Sequence, residues 1–312
     1  MTLDQAIRKI LKTLSFGKID VESSRTLANI KAIDPLKVFH KTIDYKVSNK
    51  DYKVPVRIYL PDEKTLAQDG KKGDPFPILL FFHGGGWVTD GIENYERICA
   101  KLARDARHIV ISVEYRLAPE HKFPIGLEDC YAVAKAIFTN QSILKADPNR
   151  ITLIGDSAGG NLTAALSLMA KDRKEFMPKR QILIYPATNN DYTEHSQFPS
   201  VMENGTDYLL TARKMRDYIQ LYKRTDADLQ NPYFAPILSK DLSGQPKTLI
   251  MTSEFDPLRD EGEAYGKRLE EAGNEVEMHR IKGALHGFFG LGMNSPHVQE
   301  SLKLIREFLR EV

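Results

Sequence analysis

The chain has 312 residues, of which 42% are hydrophobic, and its 44 basic and 42 acidic side chains leave a formal net charge of +2. A chain of this length buries about three quarters of its unfolded surface, which provides a large core without disulfides. The balanced charge gives no electrostatic reason to expect nucleic acid or an anionic membrane as a partner.

The start of the chain and its lack of a long apolar run predict a cytoplasmic protein. Asp4 comes early and no apolar block follows a basic start, so we expect no signal peptide. No run reaches the roughly 20 apolar residues that span a bilayer, and we expect no stable membrane insertion. Cys99 and Cys130 lie in helix-like segments. Their spacing matches no metal site and indicates no disulfide, so we interpret both as small buried apolar residues.

A glycine-rich segment follows the strand-like run Ile78–Phe82, within a region of strand-like runs from 77 to 115. It covers residues 83–87 with the sequence H-G-G-G-W. Consecutive glycines let backbone N–H groups approach a reacting atom, because no Cβ stands in the way. Such donors stabilise the negative charge on an attacked carbonyl oxygen, and the pattern is typical of lipases and esterases. A phosphate-binding loop would need a G-K-[ST] or G-x-G-x-x-G context, which this segment lacks.

Residues 155–159, with the sequence G-D-S-A-G, place a serine where a strand turns into a helix. They follow the apolar run 151–154 and precede the helix-like run 161–170. This is the pattern of a nucleophile elbow, in which Ser157 has a strained backbone and its hydroxyl points into a cleft. The same pattern also occurs in ordinary loops, and it is the surrounding motifs that favour the nucleophile.

A carboxylate and a histidine follow two later strand-like runs. Asp256 comes after residues 247–253, and His286 comes after residues 275–281, with a helix-like segment between the two runs. Because the carboxyl ends of parallel strands meet at one edge of a sheet, we expect both side chains beside Ser157. The chain order of serine, carboxylate and histidine is that of α/β-hydrolases.

The residue types match the chemistry of acyl transfer. A serine hydroxyl is a weak nucleophile until a base removes its proton, and histidine accepts and returns a proton near neutral pH. The carboxylate orients the imidazole and stabilises its positive charge. Asp256 is the preferred carboxylate, with two rivals. Glu254 lies near the strand end, where its side chain can point away, and Asp260 is predicted in the first turn of a helix, where the dipole favours it.

One domain, residues 1–312, is the economical organisation for this length. The strand-like runs place a core at about 45–186 and 247–312. From about 187 to 246 no strand pattern appears, and the segment carries several tyrosines and phenylalanines. Long excursions from compact domains are often lids, so we expect these residues to form a cap above the catalytic edge, with aromatic side chains lining an acyl pocket or packing the cap on the core.

Five motifs together resemble the hormone-sensitive-lipase group of bacterial carboxylesterases, from about residue 45 onward. They are H-G-G-G (83–86), Y-R-L-A-P-E (115–120), G-D-S-A-G-G (155–160), D-P-L-R-D-E-G (256–262) and H-G-F (286–288). The resemblance implies an α/β-hydrolase fold, with a mostly parallel central sheet flanked by helices. It also implies a helical cap that includes residues 1–44, and hydrolysis of short acyl esters without a cofactor or metal.

The resemblance also implies the roles of particular residues. Ser157, Asp256 and His286 would form the catalytic triad. Two N–H groups among Gly84, Gly85 and Gly86, with Gly85 the surest, would stabilise the oxyanion together with that of Ala158. The family commonly has Trp-Val-x-Gly followed by Thr-His-Asp, whereas this chain has T-D-G at 89–91 and N-Y-E at 94–96 after Trp87. Trp87 is therefore a candidate substrate-binding residue at an altered pocket mouth.

These observations predict a carboxylesterase that hydrolyses short-chain acyl esters through an acyl-enzyme. Two alternatives remain: a small-ligand-binding protein on the same fold, and the same chemistry applied to an amide, a lactone or a peptide. The sequence identifies neither the natural ester nor its acyl length or stereochemistry. It also leaves the oligomeric state open, and the resemblance implies a homodimer.

Overall fold

The computed structural model describes residues 19–32, 42–62, 75–139, 146–290 and 292–310. Their centre is an eight-stranded sheet in the order β1-β2-β4-β3-β5-β6-β7-β8. The strands β1 and β2 are antiparallel to their neighbours, and the six others run parallel. The strands are β1 (Thr42–Asn49), β2 (Tyr52–Tyr59), β3 (Ile78–Phe82), β4 (Ile109–Val113), β5 (Ile151–Asp156), β6 (Arg180–Ile184), β7 (Lys247–Phe255) and β8 (Val276–Leu285). The predicted α/β fold with a mostly parallel sheet is confirmed.

The middle strands are apolar throughout because helices cover both faces of the sheet. Every residue of β3, β4, β5 and β6 is buried. By contrast β1, at the edge of the sheet, exposes most of its side chains. The eight helices of the described residues are α1 (Val21–Ala32), α2 (Ile92–Ala106), α3 (Ile125–Thr139), α4 (Ala158–Arg173), α5 (Pro199–Glu203), α6 (Ala212–Tyr222), α7 (Arg259–Glu271) and α8 (Pro296–Arg310).

Two hydrophobic clusters lie on opposite faces of the sheet. One contains apolar side chains of α3, α4 and α7, and the other contains those of α2 and α8. This two-sided packing holds the sheet rigid, so that the loops after β3, β5, β7 and β8 share a fixed edge. Cys99 on α2 and Cys130 on α3 are buried free thiols.

The segment 187–246 contains α5, α6 and two 3₁₀ turns, at Asp226–Gln230 and Pro236–Leu238, and no strand. Its division from the core as a cap stays a prediction, as does the inclusion of residues 1–44, of which 1–18 and 33–41 lie outside the described residues. Among the residues that the structure describes, no helix combines the length and apolarity that a membrane crossing requires.

Candidate active site

Ser157 sits at the turn between β5 and α4 in a backbone conformation that is rare for a residue with a side chain. Its φ is 53° and its ψ is −118°. The turn is held because the Ser157 N–H donates to the Ile184 carbonyl oxygen at 2.8 Å and the Ser157 carbonyl oxygen accepts from the Ala187 N–H at 3.2 Å. A Cβ on Gly159 would collide with the Phe82 carbonyl oxygen. The glycine therefore allows α4 to begin directly against the end of β3.

The three residues of the predicted triad come together. Ser157 Oγ lies 2.9 Å from His286 Nε2, and His286 Nδ1 lies 2.6 Å from Asp256 Oδ2. The other oxygen of the Asp256 carboxylate accepts the Leu258 N–H at 2.9 Å, which fixes the plane of the carboxylate. Asp256 is fully buried, while Ser157 and His286 are partly exposed. The arrangement can pass a proton from the serine to a histidine whose second nitrogen faces a carboxylate.

The two rival carboxylates are bound elsewhere. Glu254 accepts the backbone N–H of Gly283 at 2.6 Å. Asp260 accepts the Ser200 N–H at 2.7 Å and pairs with the guanidinium of Arg259 at 2.7 Å. Of the three carboxylates, only Asp256 contacts His286.

The hydrogen bonds of the glycine loop indicate which of its N–H groups are available to an oxyanion. The Gly84 N–H already donates to Asp156 Oδ1 at 2.9 Å and to the Tyr95 hydroxyl at 3.1 Å, which favours Gly85 and Gly86 as the two donors among the three glycines. Gly85 and Gly86 have φ values of +97° and +60°, which favour glycine. Within the described residues, their N–H groups and that of Ala158 have no protein acceptor. These three donors remain as candidates.

Trp87 is packed into the protein. Its side chain is buried and stacks on Tyr222 of α6, with ring centroids 4.5 Å apart and ring planes 2° apart. Phe234 stacks less closely, at 6.3 Å. The indole therefore packs the glycine loop against α6, and substrate binding by Trp87 stays a prediction.

Two further side chains contact the same loop, and no sequence motif predicted these contacts. The Tyr218 ring of α6 lies so close that a Cβ on Gly86 would be 2.5 Å from Tyr218 Cδ1. From α1, Arg25 Nε donates to the Val88 carbonyl oxygen at 2.9 Å, and its guanidinium pairs with Glu120 at 2.8 Å. The loop is thus contacted by α6 from the segment 187–246 and by α1 from the N-terminal part of the chain.

Buried carboxylates are the other feature that motif matching missed. Burial raises the pKa of Asp156, the residue before the serine, to about 7, and hydrogen bonds from Tyr95 and Tyr185 oppose this shift. Burial likewise raises the pKa of Glu261 to about 8. Among the described residues, no three histidine, cysteine or acidic side chains are grouped as metal ligands are.

The sheet order and the site together define an alpha/beta hydrolase. A family model described as an alpha/beta hydrolase fold matches residues 79–290, and the chain belongs to this family. The resemblance to its hormone-sensitive-lipase-like group, predicted from five motifs, is confirmed.

Relatives span nearly the whole chain. An arylesterase from Saccharolobus solfataricus is 35% identical over 308 residues, with 96% of each chain covered. An ethyl acetate hydrolase from Pseudomonas putida is 33% identical over 270 residues, which cover 86% of this chain and 82% of the relative. Among solved structures, a hyperthermophilic esterase from Pyrobaculum calidifontis superposes with a TM-score of 0.84 and 34% identity, covering 99% of this chain and 98% of the other.

Proposed function

We propose that this protein is a serine carboxylesterase that hydrolyses short-chain acyl esters through an acyl-enzyme intermediate. The protein is a carboxylic ester hydrolase, since relatives named for arylester and ethyl acetate hydrolysis match it over most of its length. The serine mechanism is carried by one observation: Ser157 Oγ is within 2.9 Å of His286 Nε2, while His286 Nδ1 is 2.6 Å from Asp256.

In the proposed mechanism, His286 removes the proton as Ser157 Oγ attacks the ester carbonyl. Asp256 holds the imidazole in the tautomer that leaves Nε2 free to accept, and it stabilises the imidazolium. The N–H groups of Gly85, Gly86 and Ala158 receive the oxyanion. His286 then gives its proton to the leaving alcohol, and a water molecule activated by the same imidazole releases the acid. These steps need no cofactor or metal.

The aromatic side chains above the glycine loop support a preference for short acyl groups. Tyr218 lies against Gly86, and Tyr222 and Phe234 fill the space around Trp87. We infer that these rings limit the space for a long acyl chain. An acyl-length series from acetate to dodecanoate measures the cutoff directly.

Location and assembly complete the proposal. The buried, unpaired thiols of Cys99 and Cys130 support a reducing compartment such as the cytoplasm. The homodimer implied by the family resemblance is supported by β1 and β8, because each is an outermost strand of the sheet and has no strand beyond it among the described residues. Sedimentation analysis of the purified protein tests the dimer.

The decisive experiment for the serine mechanism is Ser157→Ala, assayed on p-nitrophenyl acetate. We expect turnover to fall by about 10⁴-fold or more, because the remaining groups supply binding but no nucleophile. Ser167→Ala is the matched control, since it removes a buried hydroxyl from α4, the helix that follows Ser157, where Ser167 contacts Gln181. Retention of most activity in Ser157→Ala would refute the mechanism.

The alternatives have their own measurements. A protein that only binds a small ligand would not react with a serine-directed organophosphate, whereas the proposed nucleophile is labelled. An ester and an anilide with the same acyl group separate an esterase from an amidase.

A further inference from the structure

Asp156, the residue directly before the proposed nucleophile, is a buried carboxylate surrounded by hydrogen-bond donors. Its exposed fraction is 3%. Oδ1 accepts the Gly84 N–H at 2.9 Å, and Oδ2 accepts the hydroxyls of Tyr95 at 2.9 Å and Tyr185 at 3.2 Å. All three partners donate, so the ionised carboxylate satisfies them without conflict.

On one side this carboxylate holds the glycine loop. Gly84 immediately precedes the candidate donor Gly85, and its N–H is shared between Asp156 and Tyr95. A Cβ on Gly84 would lie 2.7 Å from Asp156 Oδ2, so the loop backbone is pressed against the carboxylate. The position of the Gly85 N–H therefore depends on where Asp156 stands.

On the other side the carboxylate reaches the loop that carries His286. The Tyr185 hydroxyl donates to Asp156 and accepts the Phe289 N–H at 3.2 Å. The Tyr185 ring also lies against the imidazole of His286, with centroids 4.8 Å apart. Hydrogen bonds in such a chain polarise one another and strengthen the whole.

We propose that Asp156 is a positioning residue that fixes the oxyanion loop and the histidine loop relative to Ser157. The inference rests on the proposed serine mechanism. Its physical basis is that one buried group, adjacent in sequence to the nucleophile, is hydrogen bonded to the first loop directly and to the second through Tyr185. Misplacing a catalytic group by about 1 Å can lower a rate by about 100-fold. Burial raises the pKa of Asp156 to about 7, and the hydrogen bonds from Tyr95 and Tyr185 lower it, so these two donors favour the ionised carboxylate.

Two substitutions at Asp156 test the proposal. Asp156→Ala removes the hydrogen bonds that the carboxylate makes with Gly84, Tyr95 and Tyr185. We expect kcat to fall by about 100-fold with KM changed by less than about threefold. Asp156→Asn keeps an acceptor for the Gly84 N–H, and its amide can donate to hydroxyls that reorient. We expect this variant to lose only about tenfold, so that the order is wild type, Asn, Ala.

The rate must be expressed per reactive serine, counted by complete titration with a serine-directed phosphonate. A merely structural role for Asp156 would lower the titratable fraction and the melting temperature but leave kcat per site unchanged. A kcat per site for Asp156→Ala within about twofold of wild type would overturn the proposal, because positioning losses are larger.

Tyr185→Phe provides a test that does not require the alanine variant to fold. It removes the link between Asp156 and the Phe289 N–H, and we expect kcat per site to fall by about fivefold or more. Tyr265→Phe is the matched control, since Tyr265 is fully buried and its hydroxyl has no partner among the described residues. Equal rates for both variants would overturn the proposal.

The two hypotheses fail in different ways. If Ser157→Ala keeps its activity, the serine mechanism falls and the Asp156 proposal falls with it. If Ser157→Ala is inactive while Asp156→Ala and Tyr185→Phe turn over normally per site, only the positioning role is refuted.

Discussion

The stability that Glu261 contributes to the folded protein is expected to decrease as the pH rises. This residue of α7 is fully buried. Its Oε1 accepts the N–H groups of Thr188 at 2.7 Å and Asn189 at 3.1 Å and the Tyr192 hydroxyl at 2.8 Å. Its Oε2 has no partner among the described residues. Burial, with a smaller contribution from the charge of Asp256, raises the pKa of Glu261 from 4.5 to about 8.

The magnitude follows from the proton balance. Between pH 4.5 and about 8 the folded protein keeps a proton on Glu261 that the unfolded chain has released. Folding is therefore favoured by low pH, and the free energy of unfolding falls with rising pH by up to about 1.4 kcal/mol per unit. Over the whole window the contribution of this one group amounts to about 5 kcal/mol.

Glu261→Gln removes the titration while keeping a carbonyl oxygen for the three donors. Urea unfolding of both proteins at several pH values between about 5 and about 8 gives the difference in unfolding free energy. We expect this difference to shift in favour of the variant by about 1.4 kcal/mol per pH unit. Glu270→Gln, an exposed carboxylate on the same helix, controls for the loss of a negative charge. Parallel stability curves for wild type and Glu261→Gln would refute the reasoning.

Two substitutions in the site extend the predictions. Asp256→Asn presents an amide to His286 Nδ1 and favours the wrong imidazole tautomer. We therefore expect kcat on p-nitrophenyl acetate to fall by about 10⁴-fold with the fold intact. A loss below about tenfold would contradict the proposed role of Asp256. Gly86→Ala places a Cβ 2.5 Å from Tyr218 Cδ1 at a φ of +60°, and we expect kcat to fall by about 100-fold as the loop shifts. The double variant Gly86→Ala, Tyr218→Ala should recover part of that loss, and no recovery would mean that backbone strain alone is responsible.

The sequence predicted those parts of the site that depend on local patterns. Each of the segments carrying His83, Ser157, Asp256 and His286 follows an apolar run, and parallel strands bring such segments to one edge. The choice of Asp256 over Glu254 and Asp260 was harder, because all three lie within seven residues of chain. It depended on the direction of each side chain at the end of β7, which spacing alone does not determine.

The contacts that hold the glycine loop were beyond sequence reasoning because they join distant residues. The Gly84 N–H finds its acceptor 72 positions along the chain, at Asp156. In the general pattern G-x-S-x-G, any residue can stand at position 156. The pattern therefore does not indicate that the Asp156 carboxylate binds the glycine loop. Similarly, Arg25 reaches the Val88 carbonyl oxygen from a helix 63 positions earlier. Such pairs follow from the tertiary arrangement, so the sequence does not show that the Gly84 N–H already has a hydrogen-bond acceptor.

The glycine loop is contacted from two directions, and this arrangement predicts a link between acyl-length preference and kcat. The buried carboxylate of Asp156 and the hydroxyl of Tyr95 hold Gly84 from the side of the sheet. Tyr218 and Tyr222 of α6 contact Gly86 and Trp87 from the other side. The loop whose amides are proposed to stabilise the oxyanion therefore also packs against α6. A change in α6 that admits a longer acyl chain must move these amides, so acyl-length preference and kcat should change together rather than independently.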